Sequence, residues 1–276
     1  MIFLRFPGGL SKVLTFSYDD GVEQDAELMR ILNEHGMKGT FNLNSGCFAK
    51  EGTVYPAGQV HRRMTERAAK ALYANSGHEV AVHCLTHPFL PELTRGEQVR
   101  EVILDRENLE RMFGGIVTGM AYPFGAFDDD TVSALRTCGI RYARTVVSTH
   151  SFALPKDWLR LEATCHHDDP ALMSLADRFL TEPVKYASRM FYLWGHAYEF
   201  EQHDNWQVIR AFADRMAGRP DVWYATNIEI CDYVEGWKRI IASADGRVLH
   251  NPTATTYYFE YEQKVYVIHS GETLHL

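Results

Sequence analysis

Short β-rich runs alternate along most of this chain with stretches that carry apolar residues at helical spacing. Lys12 to Tyr18 reads as a strand and breaks at Asp19-Asp20-Gly21. Gln24 to His35 puts Leu28, Ile31 and Leu32 on one helical face, with Gly36 as its C-cap. Gly39 to Asn44 alternates as a strand does, and residues 45–63 form a long loop with Gly and Pro. A loop of that length inside a compact domain is often functional. Thr65 caps a predicted helix to Asn75, and His78 to Val82 follows as a strand. Thr94 and Glu97 form a capping box that opens a helix to Phe113.

The rhythm continues. Val117 to Tyr122, Ile140 to Val147, Trp158 to Thr164, Arg189 to Trp194 and Val222 to Ala225 read as strands. Helices are predicted from Asp128 to Cys138, Pro170 to Leu180, Asp204 to Met216 and Asn227 to Ile241. Strands alternating with helices mean βαβ units and a parallel sheet. About eight strands in this length match a (β/α) barrel, which we expect over residues 1–241. From Ser243 the helical rhythm stops. Thr255 to Tyr261 and Lys264 to His269 alternate around Glu262-Gln263, like a hairpin, so residues 242–276 are expected to be a small antiparallel β appendage packed on the barrel.

Composition narrows the partners. The net charge is −8 and no long basic run occurs, so neither nucleic acid nor an anionic membrane is expected. There is no basic, then apolar, leader pattern and no run long enough to span a bilayer. The five cysteines are scattered, odd in number and without a CxxC, which fits a reduced, cytoplasmic setting. The oligomeric state is left open.

The chemistry gathers where strands end, the active rim of barrel enzymes. Asp19-Asp20 follows the first strand, His83 and His87 the third, Tyr122-Pro123-Phe124-Gly125 the fourth, and His196 the seventh. Each cluster alone has an ordinary reading: a solvated turn, a shared face or a core histidine. Four in one register point further. Two adjacent carboxylates and two histidines four apart suit a metal-dependent hydrolase, in which the ion takes three protein ligands and keeps one position open. A carboxylate left off the metal can act as base.

On these residues the chain resembles the polysaccharide deacetylases with a NodB-homology domain, the carbohydrate esterase family 4 type. The run from Thr15 to Gly21 is similar to the family's T-F-D-D-G with two residues extra. His83-Cys84-Leu85-Thr86-His87-Pro88 is similar to H-[ST]-x-x-H-P, Ala121 to Gly125 to R-P-P-Y-G, and Phe191 to His196 to the hydrophobic strand that ends in His. The resemblance implies a distorted (β/α)7 barrel over about residues 10–240. It implies Asp20, His83 and His87 as ligands of a divalent metal, Zn²⁺ first, with Co²⁺, Ni²⁺ or Fe²⁺ as alternatives. It implies Asp19 as general base, His196 as general acid and the Phe124 backbone N–H as an oxyanion donor. The implied reaction is removal of an N-acetyl group from a carbohydrate. Two alternatives stand beside it: hydrolysis of a small non-sugar amide such as a cyclic imide or ureide, and a non-catalytic carbohydrate-binding relic.

The sequence departs from the family in two places. The third motif's arginine is Ala121; Arg144 is a candidate substitute, against the more ordinary reading of a surface or structural arginine. The fourth motif, D-x-x-D-W, has Asp157-Trp158 as its nearest match, with Asp168 and Asp169 as further acidic partners for His196. Glu199 and His203 are expected to be solvated rim residues.

Overall fold

The computed structural model describes residues 1–276. Its barrel strands are β1 (Lys12–Asp19), β2 (Thr40–Leu43), β3 (Glu79–Val82), β4 (Gly119–Ala121), β5 (Tyr142–Ser148), β6 (Leu161–Ala163, continued by Cys165–His166), β7 (Arg189–Gly195) and β8 (Val222–Tyr224). The helices are α1 (Asp25–Glu34), α2 (Glu66–Tyr73), α3 (Arg95–Phe113), α4 (Asp129–Thr137), α5 (Leu172–Thr181), α6 (Ala197–Gln202), α7 (Gln207–Met216) and α8 (Asn227–Trp237).

All pairings in this sheet are parallel, in the order β6-β5-β4-β3-β2-β1-β7. The broken strand β6 closes the ring. Its first half pairs with β5, and Cys165–His166 pairs with Leu193 and Trp194 of β7. Every position of β1 is buried, as expected for a strand covered on both faces. The fold is the (β/α)7 barrel expected from the sequence, distorted in a particular way. β8 pairs with Lys12 to Leu14 at the foot of β1, while β2 pairs with Ser17 to Asp19 at its head.

Two helical details differ from expectation. Asp204 does not open a helix. It has a positive φ of 48° in the turn between α6 and α7, and the expected helix starts three residues later, as α7 at Gln207. Thr226, one residue before Asn227, caps α8 in a capping box with Glu229. Trp158 to Arg160 is a 3-10 turn and not strand, because Asp157 caps it through the Leu159 N–H at 2.9 Å.

The end of the barrel away from the strand tips is plugged by buried polar groups. Glu79 accepts hydrogen bonds from Tyr142 (2.7 Å), Thr40 (2.8 Å) and the Ile228 N–H (2.9 Å). Burial pushes its carboxyl up to about 7. The C-terminal segment forms two antiparallel sheets. One pairs Ile241–Ala242, Val248–His250 and Thr273–His275. The other is the expected hairpin, Tyr257–Tyr261 with Lys264–Ile268, turning through Glu262 and Gln263 with positive φ at both. It also takes in Ile2–Arg5, which pairs with Tyr257–Tyr261 and which the sequence reading had not marked as a strand. Tyr257, Phe259 and Ile268 pack with Phe6, Val13 and Tyr233, fixing the appendage to the barrel.

Candidate active site

The strand tips converge on a cleft of about 430 Å³ whose walls include Asp19, Asp20, His83, His87, Phe124 and His196. All six are residues singled out from the sequence. Four non-glycine residues with positive φ lie at this rim: Asp20 (85°), Cys84 (63°), His87 (58°) and Phe124 (58°). Strain of this kind persists only where the surroundings over-determine it, and it concentrates at functional sites.

Asp20 Oδ1 lies 3.8 Å from the Nε2 of both His83 and His87. The three ligand atoms lie within 4.8 Å of one another, a spacing that suits three ligands of one metal ion. His83 Nδ1 donates to the Ala121 carbonyl at 2.8 Å, which leaves Nε2 as the lone pair facing Asp20. Burial lowers the His83 imidazole to about 4, and burial also lowers His87, so both are neutral at pH 7 as metal ligands must be. The segment carrying them is held by Asp105, which accepts the His83 N–H at 3.1 Å and the Ser45 N–H at 2.7 Å. The donor set therefore fits a divalent cation.

Asp19 is supported differently. It is 2% exposed. Asn42 donates to its Oδ1 at 2.8 Å, and the Arg144 guanidinium donates to Oδ2. Burial opposes ionisation, and Arg144, with smaller contributions from His83 and His196, more than offsets it, holding the carboxyl below the usual range. The position of Arg144 explains how Ala121 is tolerated. Ala121 and Arg144 are register partners on the adjacent parallel strands β4 and β5. The arginine is displaced by one strand at the same level, and its guanidinium lies 4.3 Å from the Trp194 ring centre.

Asp157 does not support His196. Its carboxylate caps the 158–160 turn and pairs with Arg160. Asp168 faces His203 at 3.3 Å, and Asp169 pairs with His150 at 2.6 Å. The acidic group on His196 is Glu199, which the sequence reading left in solvent. Glu199 Oε1 is 3.3 Å from His196 Nδ1, and Oε2 accepts the His196 backbone N–H at 3.0 Å. Burial disfavours the charged imidazole, but Glu199 and then Asp19 reverse the sign and raise it above its ordinary value. His196-x-x-Glu199 has the spacing of a capping box with His in the cap position, the one signal that could have found it.

The 45–63 loop supplies two further residues. Arg63 donates to Asp20 Oδ1 at 2.8 Å, and His61 Nε2 lies 3.0 Å from Oδ2. Burial opposes the Asp20 charge. His61, His83 and Arg63 together hold its carboxyl far below the usual range. Phe124, 62% exposed, packs edge-on against His87 with ring centres 4.5 Å apart. Gly125 beside it has φ 68°, and a Cβ there would meet Val146 at 2.3 Å, so only glycine fits.

Residues 8–143 match the polysaccharide deacetylase family. A chitooligosaccharide deacetylase from Sinorhizobium fredii is 31% identical over 157 residues, which cover 55% of this chain and 62% of that protein. The match thus spans less than two thirds of the relative's length. Among solved structures, one described as a polysaccharide deacetylase from Mycobacterium smegmatis aligns with a TM-score of 0.58 and 16% identity, covering 85% of this chain and 94% of that one. A carbohydrate esterase family 4 pseudoenzyme from Bacillus anthracis aligns with a TM-score of 0.51 and 17% identity, covering 83% and 68%. These likenesses support the barrel fold. No helix is long and apolar enough to cross a membrane, and none of the five cysteines is paired.

Proposed function

We propose that the chain is a member of the polysaccharide deacetylase family, whose model matches residues 8–143, and within it a metal-dependent hydrolase that removes an N-acetyl group from a carbohydrate. The observation that carries this reading is the separate support of two adjacent carboxylates. Asp20 faces two neutral imidazoles, with Arg63 and His61 of the loop beside it, while Asp19 faces the fully buried Arg144.

Asp20, His83 and His87 would hold the ion. A divalent metal bound there supplies a Lewis acid and lowers the pKa of water toward about 7. Asp19, kept ionised by Arg144, takes a proton from the attacking water. The Phe124 N–H, in the turn at the cleft wall, helps hold the charge that develops on the carbonyl oxygen. His196, charged through Glu199, gives its proton to the departing nitrogen. An amide needs this last step because an unprotonated amine is a poor leaving group.

The cleft volume is at the small end for ligand sites, so it suits one ring rather than a long chain. That observation keeps a small cyclic amide as the second reading. Acetate release from N-acetylglucosamine oligomers, and ring opening of a cyclic imide, are to be measured with and without chelator. We expect acetate release that chelator abolishes and Zn²⁺ restores. Activity that ignores chelator overturns the mechanism, and imide opening without acetate release moves the assignment to the second reading. Sub-stoichiometric metal and no activity would leave the binding relic.

A further inference from the structure

Residues 45–63 lie outside the stretches that resemble family motifs, yet this loop returns to the rim and is fastened there. Its end pairs by main chain with the turn after β1. The Glu23 N–H donates to the Arg62 carbonyl at 2.8 Å, and the Met64 N–H to the Gly21 carbonyl at 3.0 Å. The Arg62 guanidinium grips both carboxylate oxygens of Glu201 on α6, at 2.7 and 2.8 Å, and Glu23 at 2.7 Å. Two-point pairing of this kind fixes direction as well as distance. Arg63, next in the chain, is thereby delivered to one place.

We propose that Arg63 is a positioning residue of the metal site: it joins the strand end that carries Asp20 to the strand end that carries His83, and so sets the distance between the carboxylate and the two imidazoles. The metal rests on the function proposed above; the joint rests on contacts within this chain.

The joint has two halves. On one side, the Arg63 Nη2 donates to Asp20 Oδ1 at 2.8 Å and Nη1 donates to the Asp20 backbone carbonyl. Asp20 has a φ of 85°, which a non-glycine residue keeps only where its surroundings hold it. On the other side, the same Nη1 donates to Asn44 Oδ1 at 2.6 Å. Asn44 passes the hold on. Its Nδ2 donates to the His83 carbonyl and, at 2.9 Å, to the Cys84 carbonyl, and Cys84 also has a positive φ, 63°. β1 and β3 are not neighbours, because β2 lies between them. Asn44 directly follows β2, so it stands in the gap that the joint has to cross. Asn44 is 1% exposed and the Arg63 side chain 16%, so water competes little for these bonds.

Geometry and charge act here with opposite signs. Asp20 Oδ1, the oxygen 3.8 Å from Nε2 of both His83 and His87, is also the oxygen that Arg63 binds. A guanidinium beside a ligand atom repels an incoming cation, so charge alone would weaken metal binding. Holding the ligands in place strengthens it. Three acceptors converge on two nitrogens of a rigid fork, which the single nitrogen of a lysine does not reproduce.

The test is Zn²⁺ affinity measured by competition with a chromophoric chelator, on metal-stripped protein well below its unfolding temperature. The visible spectrum of the Co²⁺-loaded protein reports ligand geometry beside it. Arg63→Met removes joint and charge, Arg63→Lys keeps the charge, and Asn44→Ala keeps Arg63 but cuts its link to the His83 side. We expect Zn²⁺ affinity to fall about 10–100-fold in each, with altered Co²⁺ bands. The double variant Arg63→Met with Asn44→Ala should lose little beyond the larger single loss, because both cut one joint. Unchanged affinity and spectrum in Arg63→Met, with only the melting temperature lowered, overturns the proposal and leaves Arg63 a loop anchor. Tighter binding in Arg63→Met overturns it too, because charge then outweighs position. So do full affinity in Arg63→Lys and losses that add in the double variant. An unsubstituted protein that takes up neither ion refutes the metal-dependent reading and this proposal with it, whereas tight binding that ignores Arg63 overturns the proposal alone. The expected losses in a protein without deacetylase activity support the joint and refute the proposed reaction instead.

Discussion

Replacing Arg144 by Met removes the one guanidinium hydrogen-bonded to Asp19. The two side chains are 0% and 3% exposed, so solvent screens their attraction little. Two unit charges about 4 Å apart at an effective dielectric near 20 attract by about 4 kcal/mol. Without the arginine, Asp19 would be a buried carboxylate with Asn42 as its remaining hydrogen-bond donor. Breaking such a pair from one side costs about 3–5 kcal/mol if the other charge survives. Protonating Asp19 avoids that cost, and burial already pushes in that direction. A protonated Asp19 cannot accept a proton from water. A general base is worth about 10²–10⁴-fold, so kcat/KM of Arg144→Met at pH 7 should fall by roughly two to three orders of magnitude.

The pH dependence carries the sign. Asp19 is held below its ordinary value in the unsubstituted protein, so its contribution to stability is complete above that value and is lost as pH falls through the depressed one. In Arg144→Met the carboxyl is raised, and its contribution to stability is lost as pH rises. The acid limb of kcat/KM should move to higher pH, and activity should recover partly in alkali. Arg144→Lys keeps a charge but loses the planar fork and the stacking on Trp194, so it should fall between. The assay is kcat/KM against pH on metal-saturated protein, with urea unfolding at two pH values. An acid limb that stays put while activity drops equally at every pH would refute the argument and make Arg144 a packing residue.

Two other outcomes follow from the site. Asp20→Asn should lose bound metal and activity together, whereas Asp19→Asn should keep metal and lose activity; metal analysis beside acetate release decides, and equal metal loss in both would undo the division of roles. Gly125→Ala should lose about 1–3 kcal/mol in urea unfolding, since it combines a positive φ with a 2.3 Å approach to Val146. A change within a few tenths of a kcal/mol would mean that the turn relaxes freely.

The barrel was legible because its strands are short, apolar and separated by capped helices. Asp19, Asp20, His83, His87 and His196 were legible because each follows a strand, and parallel strands bring their ends to one rim. Arg144 was legible only as a candidate beside the more ordinary reading of a structural arginine, because its route to Asp19 depends on register with Ala121, a property of strand pairing. Asp157 misled because D-W resembles a motif fragment, while the physics at that point is local capping of a turn. Glu199 was missed because an acid three residues after a histidine looks solvated until the helix start places it back over the ring. His61 and Arg63 lie in the long loop expected to be functional, yet only the folded path brings them to Asp20.

The pairing of Ile2–Arg5 with Tyr257–Tyr261 bears on the order in which the molecule completes itself. Arg5 binds Glu260, 255 residues along the chain, at 2.8 and 3.2 Å. A strand made early therefore waits for a partner made about 255 residues later. Until residues 257–268 arrive, Phe6, Val13 and Tyr233 lack part of their cover. Contacts of such long separation form slowly and leave sticky intermediates in the meantime. On a ribosome, the strand ends that carry Asp20, His83 and His87, all before residue 90, are made well before the base of the barrel is sealed. The protein's vulnerable interval during synthesis is thus set at the end of the barrel away from its chemistry.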